Sequence, residues 1–188
     1  MGKLVYGMGG VSLDGYVTDL AGDFNWAMPG VDLHNHAGAM QAEASAIVYG
    51  RKMYDMMVFW ETADQLPDMS ASGVEYAKNW RVAEKIVVSN TLLEPKSIRT
   101  RIVQTFSADD MRKLKAASSK PVMVAGPTTA SPYLNEGLVD EVTGYFLPII
   151  IGSGLPMFKD LAHPIKLKQT EEQPLVNGFV FRRYAVLN

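Results

Sequence analysis

Arg51 and Lys52 follow Gly50 and a short apolar run, Ala46-Ile47-Val48-Tyr49, and precede Met53-Tyr54. The order describes a buried strand that empties through a glycine into a turn carrying two positive charges. If a helix starts there, its first N–H groups are unpaired and point outward. Cations beside them make an anion seat, above all for phosphate, and a residue without a Cβ lets a ligand approach the backbone. Ala125-Gly126-Pro127-Thr128-Thr129 is a second turn of this kind, with small residues and hydroxyls opening a helix. Ser89-Asn90-Thr91 sets hydroxyl and amide groups at another strand end, and Met8-Gly9-Gly10 ends the first strand ahead of an Asp14-Gly15 loop. Any one of these glycines alone fits better a turn that merely closes. Together, two phosphate seats on one sheet point to a dinucleotide cofactor. There is no Walker A run and no Gly-x-Gly-x-x-Gly after the first strand, so neither the P-loop nor the Rossmann fingerprint applies.

The remaining chemistry is sparser. Asp14 is a candidate substrate contact, although Asp before Gly is also an ordinary turn former. His34 and His36 are two apart, so on a helix they point to different sides and do not form a metal pair. No metal site is expected. Phe24, Trp26 and Met28 sit in a loop-like stretch from Thr18 to Pro29. They fit either a lid over a flat ligand or packing back onto the core.

These groups need elements to position them. Lys3 to Met8 reads as the first strand, and Asp32 to Ala44 as a helix capped by Asp32 with a Leu33, Ala37, Met40, Ala44 stripe. Helices are expected over Lys52–Met57 and Ser72–Trp80, and strands over Glu84–Ser89 and Arg101–Thr105. Ser107-Ala108-Asp109-Asp110 is an N-cap signature for a helix to Ser118. Strand Pro121–Gly126 feeds a helix from Pro127 to about Glu136, stopped by Gly137. Val139–Ile151, Lys166–Thr170 and Phe179–Val186 read as strands, with Asn177-Gly178 as a hairpin turn. Alternating strands and helices imply an α/β fold with a mostly parallel central sheet and helices on both faces, and the hairpin adds an antiparallel edge.

Composition bounds the rest. The 188 residues are 47% hydrophobic and 20% charged, with net charge −2 and no cysteine. This excludes disulfides, thiolate metal sites and a Cys nucleophile, and gives no basic field for nucleic acid or acidic membrane. The first residues lack a signal-peptide core, and the most apolar stretch, Gly144–Phe158, is too short to span a bilayer. Residues 1–188 are expected to form one soluble cytoplasmic domain acting on a small molecule.

Ser12-Leu13-Asp14-Gly15-Tyr16-Val17, Gly50-Arg51-Lys52-Met53-Tyr54, Gly137-Leu138-Val139-Asp140-Glu141 and Pro148-Ile149-Ile150-Ile151-Gly152-Ser153-Gly154-Leu155-Pro156-Met157-Phe158, in this order, resemble the bacterial dihydrofolate-reductase-like proteins. Those are similar to the C-terminal reductase domain of the riboflavin-biosynthesis deaminase/reductase. The resemblance covers nearly the whole chain. It implies an NADPH-dependent reductase, often a homodimer. Arg51 and Lys52, with Ser89, Asn90 and Thr91, would hold the adenosine 2′-phosphate and ribose. Gly126, Pro127, Thr128 and Thr129 would hold the pyrophosphate, and Asp14-Gly15 would lie by the nicotinamide. Where that family shows a Gly-Gly or Gly-Ser pair, this chain has Ala125-Gly126-Pro127. Where dihydrofolate reductases carry a helix carboxylate, Asp32 and His34 fall nearest. Asp14 and Asp32 are thus the candidate catalytic acids. The substrate is expected near Asp14, Tyr16, Asp32 and His36, walled by Tyr54 and Trp60. The reaction read from this is hydride transfer to a C=N or C=O bond of a small heterocycle. One alternative is reduction of 5-amino-6-(5-phosphoribosylamino)uracil, for whose phosphate Lys159, Lys166 and Lys168 are the available cations. The other is a binding module without turnover.

Overall fold

The computed structural model describes residues 2–28 and 30–187; the end of the expected loop at Pro29 lies outside them. Among the described residues, ten strands and five α-helices alternate along most of the chain. They are β1 (Leu4–Ser12), β2 (Tyr16–Thr18), α1 (Val31–Glu43), β3 (Ala46–Gly50), α2 (Arg51–Met57), α3 (Ala71–Val82), β4 (Glu84–Val88), β5 (Thr100–Val103), α4 (Ala108–Ala117), β6 (Val122–Ala125), α5 (Pro127–Asn135), β7 (Glu141–Leu147), β8 (Leu155–Pro156), β9 (Lys166–Pro174) and β10 (Val180–Leu187). Eight strands form one sheet in the order β5-β4-β3-β6-β1-β7-β10-β9, and β2 pairs with β8 in a small ribbon. The strands from β5 to β7 are parallel neighbours, while β10 runs antiparallel to both β7 and β9.

The sheet is covered on both faces, as the period of two in its central strands requires. Val48 and Ile86 join a core with Met111 of α4 and Tyr133 and Leu134 of α5. Ile47, Tyr49 and Val87 join the opposite core around Trp80 of α3. A third cluster seats Leu33 of α1 against Tyr145 of β7 and Phe181 of β10. Trp80 is fully enclosed, and its indole donates to the Tyr49 hydroxyl at 3.2 Å. Lys85, buried at the foot of β4, donates to the carbonyls of Trp80, Arg81 and Ala83 and so satisfies the C-terminus of α3.

Local signals explain most of the boundaries. Ser107 and Asp110 form a reciprocal capping box at α4. Gly137, at φ 62°, follows α5. Asn177 and Gly178, at φ 62° and 79°, make the hairpin turn between β9 and β10. Four expectations change. β1 continues past Met8 to Ser12, with its register to β7 shifting between Gly7 and Gly10. Asp32 does not cap α1: Gly30 precedes the helix and no side chain caps it. The strand expected over Val139–Ile151 is paired only from Glu141 to Leu147, because Pro148 has no N–H to extend the ladder. β9 runs on to Pro174, carried by its ladder with β10.

Candidate active site

The carboxyl ends of the parallel strands share one edge of the sheet, where ligands of open α/β sheets bind. There β3 and β6 are direct neighbours, with Tyr49 opposite Ala125. Each ends in a glycine that starts a helix, Gly50 for α2 and Gly126 for α5. The two turns touch: a Cβ on Gly50 would lie 2.6 Å from the Thr129 hydroxyl. Gly126 has φ 96°, which side chains rarely adopt. Pro127 is the first residue of α5, where its missing N–H costs nothing, and Thr128 and Thr129 follow in the first turn. Two helix starts thus stand side by side at this edge of the sheet.

Next to β6 in the sheet is β1. It pairs with β6 only from Leu4 to Tyr6, opposite Val122 to Val124. Beyond Tyr6 the pairing stops because β6 ends at Ala125 and turns at Gly126 into α5, while β1 continues to Ser12. Gly9 lies in that continuation; it is exposed, and a Cβ there would meet nothing within 4 Å. An open position on a central strand is a cleft. Gly10, one residue on, is closed, since a Cβ there would collide with Ala27 of the loop before α1. From sequence, Gly9 marks only the end of a strand. Its signal was the glycine pair inside an apolar run, which marks a bulge or a close backbone approach.

The structure disperses some of the other expected residues. Arg51 and Lys52 are exposed at the start of α2, and Arg51 reaches Asp55 at 3.2 Å, while Lys96 reaches the same carboxylate at 2.7 Å. Ser89 is buried, and its hydroxyl accepts from the N–H groups of Thr91 and Leu92, shaping the turn that leaves Asn90 and Thr91 exposed. Asp14 accepts from the N–H of Gly152 at 2.8 Å and of Ile151 at 3.3 Å. A hydrogen bond from Ser12 and these two hold its carboxyl below the usual carboxylate range. Its observed work is to fasten the first loop to the segment after β7. Two further bonds join the same loops, Leu13 N–H to Ile149 and Met157 N–H to the carbonyl of Gly15.

The expected substrate wall is not one wall. Tyr54 is completely enclosed, with its hydroxyl against Ser97 and accepting from Lys96 N–H. It is a core residue, and its assignment to the substrate surface is corrected here. Tyr16 lies in the β2–β8 ribbon opposite Pro156. Trp60 stands in a 3₁₀ turn after α2, 4.4 Å from the Tyr76 ring and 5.2 Å from that of His34. His36 faces away from this group; its Nδ1 lies 2.8 Å from the Tyr145 hydroxyl and its ring 4.2 Å from Phe181. Asp32 and His36 line an open groove of about 600 Å³ between α1 and the end of β9. That groove is lined by no Lys or Arg, in contrast to the strand-end cleft, so the cleft is the better candidate. Burial lowers the pKa of both His34 and His36; for His36, Glu171 opposes the shift and Arg183 adds to it. Of the large apolar residues in the loop, Trp26 packs against the α1 core, while Phe24 and Met28 are exposed. Among the described residues no group of His, Asp or Glu is arranged to hold a metal ion.

A mostly parallel eight-stranded sheet with an antiparallel C-terminal pair and a cleft at the ends of β1, β3 and β6 defines a protein of the dihydrofolate-reductase-like fold. Dihydrofolate reductase from Enterococcus faecalis, solved with NADP(H), aligns over 99% of this chain and 97% of its own at TM-score 0.63 and 10% identity. The chain belongs to the RibD C-terminal domain family, whose model matches residues 8–181. A candidate riboflavin biosynthesis protein from Shewanella sp. PV-4 matches over the full length of both chains, at TM-score 0.75 and 22% identity. The Thermotoga maritima deaminase/5-amino-6-(5-phosphoribosylamino)uracil reductase matches 99% of this chain at TM-score 0.68 and 20% identity, but this chain spans only 57% of it. In sequence, the uncharacterized protein YyaP of Bacillus subtilis (strain 168) is 26% identical over 171 residues, 90% of this chain and 88% of that protein.

Proposed function

We propose that this protein is an NADPH-dependent reductase that transfers a hydride to a C=N or C=O bond of a small heterocyclic substrate. The observation that carries the reading is the cleft formed where β1 parts from β6. Gly9 leaves its floor open, and the touching turns at Gly50 and Gly126 expose two helix starts beside it. This shape fits an extended dinucleotide. Arg51 and Lys52 would hold a 2′-phosphate, with Asn90 and Thr91 beside it, and Gly126 to Thr129 would hold the pyrophosphate. NADPH supplies the hydride. The chain's own part is to bind, orient and exclude water around the reacting ring. We extend the proposal to a homodimer working in the cytoplasm.

The deciding experiment compares NADPH and NADH binding by calorimetry and then follows NADPH oxidation with candidate heterocycles, including the ribosylaminouracil phosphate. Tight NADPH binding with turnover supports the reading. NADPH binding without turnover on any substrate makes the protein a binding module, and no NADPH binding refutes the cofactor assignment. Sedimentation at micromolar concentration tests the dimer.

A further inference from the structure

We propose that Lys96 stands beside Arg51 as the second cation on the 2′-phosphate of the cofactor, in the place that sequence order gives to Lys52. This rests on the cofactor reading above and changes which residues select NADPH over NADH.

Asp55 of α2 makes the juxtaposition. Arg51 Nη1 lies 3.2 Å from its Oδ2, and Lys96 Nζ lies 2.7 Å from its Oδ1. Two cations distant in sequence thus stand within the span of one carboxylate. Consecutive residues of an α-helix point about 100° apart, whereas residues four apart share a face. Arg51 reaches along the face of Asp55, so its neighbour Lys52 leaves α2 in another direction. The cation that meets Arg51 comes from the connection between β4 and β5 instead.

The core fixes where Lys96 stands. Its backbone N–H donates to the hydroxyl of the enclosed Tyr54 at 2.9 Å, and that hydroxyl also lies 2.8 Å from Ser97 Oγ. Tyr54 and Asp55, adjacent in α2, therefore hold the backbone and the side chain of one lysine. The connection that carries Lys96 starts at the strand end next to Gly50. β3 and β4 are parallel neighbours with Gly50 opposite Val88, and Ser89, Asn90 and Thr91 follow directly. Arg51, Asn90, Thr91 and Lys96 thus all belong to the two segments that leave this pair of strands, where the cofactor reading puts the 2′-phosphate.

One carboxylate does not satisfy both cations. Two positive charges face one negative, and among the described residues the other N–H groups of the two side chains have no protein partner. The side chains of Arg51 and Lys96 are 48% and 53% exposed, so their heads are open to an incoming anion. Exposed ion pairs of this kind hold weakly. A phosphate monoester carries about −2 near pH 7 and offers three acceptor oxygens, so it is the stronger partner for both. Asp55 gathers the two cations before the ligand arrives, which leaves less ordering to be done on binding.

The test is calorimetry with two probes that differ only by the 2′-phosphate, adenosine 2′,5′-bisphosphate and adenosine 5′-monophosphate. The unmodified protein is expected to bind the bisphosphate about tenfold more tightly or better. Lys96→Gln should cut that preference about fivefold and leave the monophosphate unchanged, and Lys96→Arg should restore it. Lys52→Gln should change the preference less than about twofold. The N–H that Tyr54 accepts is kept in both Lys96 variants, so the connection stays fastened. A full preference in Lys96→Gln overturns the proposal. So does an equal loss of both probes, the mark of a distorted loop, or a larger loss of preference in Lys52→Gln than in Lys96→Gln. No preference in the unmodified protein refutes the 2′-phosphate reading, and this proposal with it, which keeps the two failures apart.

Discussion

Gly9 is the residue on which the cleft depends. A Cβ there meets nothing within 4 Å and its backbone is not left-handed, so a larger side chain has room and no strain. Gly9→Val is therefore expected to leave the urea midpoint unchanged or raise it, since a mid-strand Gly costs about 0.5–1 kcal/mol relative to Ala. The same substitution fills the cleft floor, so turnover should drop at least tenfold with NADPH still preferred over NADH. A large loss of stability would show that the position is not open. At the opposite end of the site, Arg51→Ala should weaken NADPH about tenfold, or about 1.4 kcal/mol, and leave NADH unchanged. An equal effect on both cofactors would mean that Arg51 reads no 2′-phosphate. Asp14 and Tyr54 show the limit of reading residues from sequence. The partners of Asp14 are Ile151 and Gly152, and those of Tyr54 are Lys96 and Ser97. Nothing local in the chain signals such distant contacts.

At the scale of elements, local signals set three boundaries and misplaced one, the Asp32 cap of α1. The Ser107 box, Gly137 and Asn177-Gly178 all mark real ends, because each acts on backbone groups a few residues away. Ser107→Ala should cost about 1 kcal/mol, typical of a lost N-cap, measured by denaturant unfolding. Trp80→Ala should cost about 3–5 kcal/mol, because it removes a fully enclosed indole from the α3 core. Where pairing set the boundary, the sequence was mute: the length of β9 depends on β10, and the early parting of β1 from β6 leaves no mark beyond two glycines. The faces of α1 were partly legible. Two histidines two apart must diverge, and they do, one toward Trp60 and one toward Tyr145.

For the whole molecule, the two half-buried histidines of α1 make stability depend on pH. Their pKa values are lowered by burial, whereas in the unfolded chain they take protons near pH 6.5. Acidification below about 6.5 thus loads protons onto the unfolded state first, and stability falls. Above that pH the contribution is constant. A second loss should begin near pH 4, as Asp14, Asp64 and Asp110, all held below the usual carboxylate range by hydrogen bonds, are protonated. Urea midpoints between pH 8 and pH 3 would show both steps, and His34→Asn with His36→Asn should erase the first. The parting of β1 from β6 reaches further than the ligand it accommodates. Beyond Tyr6, one side of a strand in the middle of the sheet has no β6 partner, and at Gly9 its backbone is exposed. Hydrogen exchange will find a soft segment at Met8–Gly10 within the most protected part of the protein, and a cofactor that covers it will slow that exchange before any substrate is added.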